Sequence, residues 1–257
     1  LRYSLLQLIQ QFLTGIVIII IFALVYIIAR AGGYDVPGND LLQQLSAEPP
    51  IPPKQVAIIS GHAGFDSGAV CTDADGTVTL TEADVNAKIT QNVADRLAQI
   101  QPPVDIMLLD EKDERLSDLQ ADVLLSLHSD SCINLNGYKA AFAPESIIPD
   151  RQMRLMACIN NRYANATNLP YHSNTITHDM LGYHVFNRID PQTPAAILEM
   201  GFMRGDQDLL TTNSDVVAQG IVDSLLCFLN DELWPTSIDQ PEIDPADPNT
   251  AEKIKQN

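Results

Sequence analysis

The sequence predicts an α/β fold: a mostly parallel sheet with helices on both faces, preceded by a single N-terminal transmembrane helix. Three observations predict it. Short apolar runs without alternation, such as Val56 to Ile59, read as strands buried on both faces. These runs alternate with amphipathic segments of helical period, the pattern that makes strands parallel. Ahead of them, no charged side chain occurs from Tyr3 to Ala29, and Phe12 to Ile28 is almost wholly apolar. That run is long enough to cross a hydrocarbon core of roughly 30 Å as a helix.

The 257 residues divide into an anchor (1–31), a Pro/Gly-rich linker (32–54), an α/β domain (55–234) and an acidic, Pro-rich tail (235–257). A signal peptide is the competing reading of the first segment, since Ala29-Arg30-Ala31 resembles an A-x-A cleavage site. The apolar stretch is longer than usual for such a peptide, which favours an uncleaved anchor. Arg2 and Arg30 flank it almost symmetrically, so orientation is weakly coded. The acidic bulk downstream favours an extracytoplasmic C-terminal domain at the cell membrane. Other membrane subunits packing on the span are an expected class of partner. In the linker, Pro49-Pro50-Ile51-Pro52-Pro53 forms a semi-rigid spacer and 41–45 a short helical turn.

Within the domain, the first strand runs into Ser60-Gly61-His62-Ala63-Gly64, where glycines turn the backbone sharply and present His62. The polar stretch Cys71 to Thr79, with Asp75-Gly76, reads as a small hairpin or loop. Thr81 to Asp84 fits a capping box, placing Glu82 in the first turn of a helix with apolar Val85, Ile89, Val93, Leu97 and Ile100. Asp105 to Leu109 is a second strand, and Glu111 to Asp118 a charged surface helix or loop. Asp122 to Leu127 is a third strand, followed at once by His128. Lys139 to Ala143 is a further strand, and a helix runs from Pro149 to about Ala166. A strand is expected within Leu181 to Ile189. Pro194 to Leu198 is the last strand, delivering Glu199 at its end, and Ser214 to Leu233 is a long terminal helix.

A formal charge of −18 argues against nucleic acid as a partner, because phosphate recognition needs clustered Lys and Arg. The four cysteines show no CxxC spacing. Cys71 and Cys132 each follow a candidate site histidine and are a candidate disulfide in an oxidising compartment; two separate buried thiols are the alternative. Cys158 and Cys227 fall in apolar helical patterns and read as core residues.

In a parallel α/β sheet, strand carboxyl ends and helix amino ends share one edge. His62, Glu82, His128 and Glu199 lie on four such segments and converge there. Two neutral imidazoles and a carboxylate suit catalytic zinc with a position left for water. Glu199, on a rigid strand, suits the proton transfers. His172, His178 and His184 read as histidines without a role, with lining of a substrate groove the alternative for the last two.

These motifs resemble the zinc-dependent N-acetylmuramoyl-L-alanine amidases of the Amidase_3 family, over about Lys54 to Leu233. Ser60-Gly-His-Ala-Gly-Phe-Asp-Ser-Gly-Ala69 resembles the family's Gly-His-Gly-Gly…Gly-Ala opening, Glu82 with Asn86 its glutamate at a helix start, Ser126-Leu-His-Ser-Asp130 its Ser-x-His-x-Asn, and Leu198-Glu-Met-Gly-Phe202 its Val-Glu-x-Gly-Phe. The resemblance implies Zn2+ held by His62, Glu82 and His128, a catalytic Glu199, and peptidoglycan as substrate, cut between N-acetylmuramic acid and L-alanine. The chain departs from the family pattern in places. Ser60 stands where Asp-Pro is usual, Asp130 replaces asparagine, and the Thr-Arg segment with its following Arg is hard to find between Leu109 and Ala121. A non-catalytic accessory subunit of a larger membrane complex is the alternative reading.

Overall fold

The computed structural model describes residues 2–33 and 52–231, with the side chains of 2–6 not described. The expected helical turn at 41–45, nearly all of the linker and the acidic tail lie outside the described residues. The chain forms two compact units, Leu1–Pro52 and Pro53–Asn257.

In the first unit, helix α1 (Arg2–Ala31) is a single 30-residue rod. Within its stretch Gln7–Ala31 an 18-residue window reaches mean hydropathy 3.0, so the helix is long and apolar enough to cross a membrane; a signal sequence passes the same test. The hydroxyl of Thr14 donates to the Gln10 carbonyl (2.8 Å), so this polar side chain needs no solvent.

The second unit is built on a five-stranded sheet in the order β4-β1-β5-β7-β6. Strands β1 (Lys54–Ser60), β4 (Val104–Asp110), β5 (Val123–Asp130) and β7 (Ala195–Phe202) run parallel. β6 (Lys139–Ala141) closes one edge antiparallel to β7. Between β1 and β4, β2 (Val70–Thr72) and β3 (Val78–Thr81) form a separate hairpin. Its turn is stitched by Asp73, whose Oδ1 accepts from the N–H groups of Asp75 and Thr77 (both 2.9 Å).

Because side chains alternate along a strand, the sheet has two apolar faces. Val56, Ile58, Val123, Leu125, Ala196 and Leu198 form one core. It is covered by α2 (Glu82–Leu97), by α3 (Pro149–Cys158), which continues through a π turn (Ile159–Tyr163) into α4 (Ala164–Thr167), and by α7 (Ser214–Leu229). Ala57, Ile59, Leu124, Ala195 and Ile197 form the other core. Among the described residues, only short pieces cover that face: the 3₁₀ turns Glu114–Leu116 and His184–Asn187, and α5 (His178–Leu181). The strand expected within Leu181 to Ile189 is therefore absent. Tyr183 and Val185 alternate as strand residues do, but they cap the core on this face of the sheet instead of pairing with a strand.

The last short helix, α6 (Gln207–Thr211), precedes α7. Cys158 and Cys227, expected as core residues, are buried but also bonded to each other (Cα–Cα 5.8 Å), joining α3 to α7. Their 69-residue separation hid the pairing, since only the packing of those two helices brings the thiols together. Cys71 and Cys132 are likewise bonded, with Cα–Cα 5.4 Å.

Candidate active site

The site is built where β1, β5 and β7 approach their carboxyl ends. After β1, Gly61 continues the sheet by donating to the Leu127 carbonyl (2.9 Å). The chain then turns through His62 at φ 65°, a conformation costly for a non-glycine residue. Its carbonyl accepts from the N–H groups of Phe65 (3.0 Å) and Asp66 (3.2 Å), which hold the turn. Gly61 is needed for space: a Cβ there would lie 2.5 Å from Cε1 of His128.

Glu82 enters from a different direction. Thr81 caps α2 by accepting the Asp84 N–H (3.3 Å), so Glu82 sits in the first helical turn, where the helix dipole favours an anion. Its Oε2 accepts from the Ala69 N–H (2.9 Å). Its Oε1 lies 3.2 Å from His62 Nε2 and 3.1 Å from His128 Nδ1. Asn86, one turn on, donates to the Gly61 carbonyl (3.1 Å) and accepts from the Ser129 hydroxyl (2.9 Å). It thereby ties α2 to both histidine-bearing segments.

His128 and Glu199 were expected just after their strands. Both lie within them, paired in register across β5 and β7. The pairing continues past the apolar residues because the polar side chains face an enclosed site instead of a loop. Oε2 of Glu199 is out of solvent reach and has no hydrogen-bond partner. Burial pushes its carboxyl up to about 7, Glu82 and Asp130 add to the rise, and His128 opposes it. On the other side, Lys139 of β6 bridges to Asp130 (2.6 Å) and donates to the Thr175 carbonyl (2.7 Å). These groups and Phe202 line a cavity of about 500 Å³ beside Glu199's strand neighbours. His172 lies along it and bonds Thr175, whereas His184 faces Glu111 (2.8 Å).

The structure thus brings His62, Glu82 and His128 together, with one ligand-type atom from each within 4.8 Å of the others. The charges around them favour a cation. His62 is raised, chiefly by its hydrogen bond to Glu82. Burial works against a charge on His128, yet the carboxylates of Glu111 and Glu82 outweigh it and raise the imidazole to about 10. Burial likewise opposes ionisation of Glu82, but the two imidazoles hold it down at about 2. Carboxylates that retain a proton on an imidazole equally stabilise a metal ion in its place. Two nitrogen donors and one oxygen donor fit zinc with an open position.

Glu111 was expected in a charged surface segment. It is 5% exposed, accepts the His62 N–H (3.1 Å) and the Tyr183 hydroxyl (3.0 Å), and faces His128 Nε2 (3.5 Å). The signal that could have found it is placement: it follows the carboxyl end of β4 as His62 follows that of β1. Tyr183 carries no comparable sequence signal.

A parallel α/β sheet with a metal-competent His-Glu-His cluster at its strand ends, beside a buried carboxylate, defines the protein class. The chain belongs to the Amidase_3 family, N-acetylmuramoyl-L-alanine amidase, whose pattern matches residues 56–227. Its fold is similar to that of an N-acetylmuramoyl-L-alanine amidase from Clostridium difficile 630, with TM-score 0.55, 20% identity, and coverage of 70% of this chain and 99% of that one. It is also similar to the CwlD amidase of Clostridioides difficile in complex with the GerS lipoprotein, with TM-score 0.52, 16% identity, and coverage of 70% and 100%. A Bacillus subtilis (strain 168) relative, the uncharacterized protein YqiI, is 25% identical over 195 residues, 70% of this chain and 85% of that one.

Proposed function

We propose that this chain is a zinc-dependent amidase that hydrolyses the bond between N-acetylmuramic acid and L-alanine in peptidoglycan. The observation that carries the reading is the meeting of His62, Glu82 and His128 beside the orphaned Oε2 of Glu199. His62, Glu82 and His128 would hold the zinc, which would supply Lewis acidity toward the scissile carbonyl and lower the pKa of water.

The chain's own groups do the rest. Glu199, whose carboxyl burial raises in the metal-free domain and whose Oε2 has no hydrogen-bond partner, is placed to accept a proton and give it up again. Its Oε2 takes the proton of the attacking water and returns it to the leaving L-alanine nitrogen, so the products are the lactyl carboxylic acid and the amine, which at neutral pH exchange a proton to stand as carboxylate and ammonium. The cavity walled by Lys139, Asp130 and Phe202 receives substrate next to the scissile bond.

In this reading helix α1 anchors the domain at the cell membrane, and the two disulfides support an oxidising, extracytoplasmic compartment for it. A complex such as that of CwlD with GerS provides a precedent for a protein partner. The test is muropeptide hydrolysis by purified protein. Activity is expected with zinc, absent after chelation, and down by about 10³-fold or more in Glu199→Gln, on the scale of a lost acid–base and electrostatic group. Wild-type protein that binds zinc yet leaves muropeptides intact would support the accessory-subunit reading instead.

A further inference from the structure

Two carboxylates face the histidine nitrogens turned away from Glu82. Asp66 meets His62 Nδ1. Glu111 faces His128 Nε2, with the Tyr183 hydroxyl also there at 3.4 Å. Glu111 does more than approach one ring. Its Oε2 accepts the His62 N–H (3.1 Å), and its own backbone N–H donates to the Ala63 carbonyl (3.1 Å). Its Oε1 accepts from the Tyr183 hydroxyl (3.0 Å) and meets His184 Nε2 (2.8 Å). Tyr183 is itself fixed by Ser126 (2.9 Å) and stands edge-on to His128, ring centroids 5.6 Å apart.

We propose that Glu111 is a positioning residue of the metal centre, fixing the His128 ring through Nε2 and the His62 turn through its backbone. The inference rests on the metal reading of His62, Glu82 and His128. A carboxylate opposite one imidazole nitrogen favours the tautomer protonated there, leaving the lone pair on the other nitrogen for the metal. Here that other nitrogen is Nδ1, the atom facing Glu82. Glu111 is not itself placed as a ligand, because it addresses the far side of the ring. It lies between Leu109 and Ala121, the stretch where the family's Thr-Arg segment is hard to find.

The experiment measures zinc affinity by chelator competition, with the absorption bands of the cobalt-loaded protein as a second readout. Far-UV circular dichroism of the metal-free proteins checks folding. Glu111→Gln is expected to fold, to bind zinc about 10- to 100-fold more weakly, and to shift the cobalt bands, because the His128 tautomer and ring angle are no longer fixed. Tyr183→Phe, which keeps the ring and removes one bond to Glu111, is expected to lose about 2- to 5-fold, on the scale of one hydrogen bond. It also serves as the test if Glu111→Gln fails to fold. Wild-type zinc binding with unchanged affinity and unchanged cobalt bands in the folded variants would overturn this inference and leave the metal centre standing. Wild-type protein that binds no zinc would overturn the metal centre, and this inference with it.

Discussion

The two histidine arms of the site offer the same chemistry on opposite footings. His62 rides a turn at φ 65°, its side chain is 25% exposed, and the carboxylate on its outer nitrogen, Asp66, is 51% exposed. His128 lies inside a central strand, and both its side chain and that of Glu111 are 7% exposed. A group packed on a buried strand cannot shift without disturbing the core, whereas a loop group can. The arrangement is a fixed arm and an adjustable arm meeting at a shared carboxylate, Glu82.

The harshest way to break the comparison is to remove what both arms share. Glu82→Gln deletes the buried charge that faces both imidazoles, a loss of about 3–5 kcal/mol by analogy with one-sided removal of a buried ion-pair partner. That corresponds to roughly 10²–10⁴ in zinc affinity, measurable by chelator competition. An effect below about tenfold would show that the arms hold metal without a common centre.

Next comes a change that strikes the fixed arm alone. In Gly61→Ala the new Cβ would meet the His128 ring at 2.5 Å. The ring is buried and cannot retreat, so a cost of about 1–3 kcal/mol in thermal stability is expected, with weakened metal binding. If the variant melts as the wild type does, His128 is freer than its burial implies.

The fixed side also carries Glu199, whose charge can be weighed through pH. Its carboxyl is raised to about 7 from 4.5. Between these values the folded chain keeps a proton that the unfolded chain has lost, so the metal-free domain loses stability as pH rises, and the loss levels off above about 7. His128 and Glu82 add little slope between 4.5 and about 6.5, since their folded values lie near 10 and 2. Denaturant titrations of chelated protein should show wild type losing on the order of 2 kcal/mol between pH 4.5 and about 6.5, below the range where the raised histidines contribute, and Glu199→Gln nearly flat over that range. Parallel curves for the two proteins would mean that Glu199 is hydrated.

The same asymmetry decides what could be read before folding. The strands of the main sheet, α2 with its cap, and the convergence of His62, Glu82, His128 and Glu199 were legible because each obeys a local rule: apolar runs, a 3.6-residue period, a capping Thr81, and a place next to an apolar strand run or at a helix start. Glu111 was missed because neighbours such as Lys112, Asp113 and Glu114 made its segment look uniformly solvated. Only its backbone position at the end of β4 turns it inward. Tyr183 and the Cys158–Cys227 bond depend on packing between distant segments, α5 and its following turn in one case, α3 with α7 in the other. No spacing within the chain encodes either.

The mildest change should touch the adjustable arm. Asp66→Asn keeps the shape of the side chain and removes the charge opposite His62 Nδ1. Asp66 also accepts from the Gly68 N–H (2.9 Å), a bond that an amide oxygen can still make, so the turn should survive. Solvent screens an exposed charge, and water can replace it as a partner for Nδ1–H. Zinc affinity should therefore fall by less than about threefold, well short of the loss expected for Glu111→Gln. Equal losses in the two variants would erase the distinction between the arms: the carboxylate behind each histidine would then matter for its charge alone, and burial would contribute nothing to how firmly the metal is held.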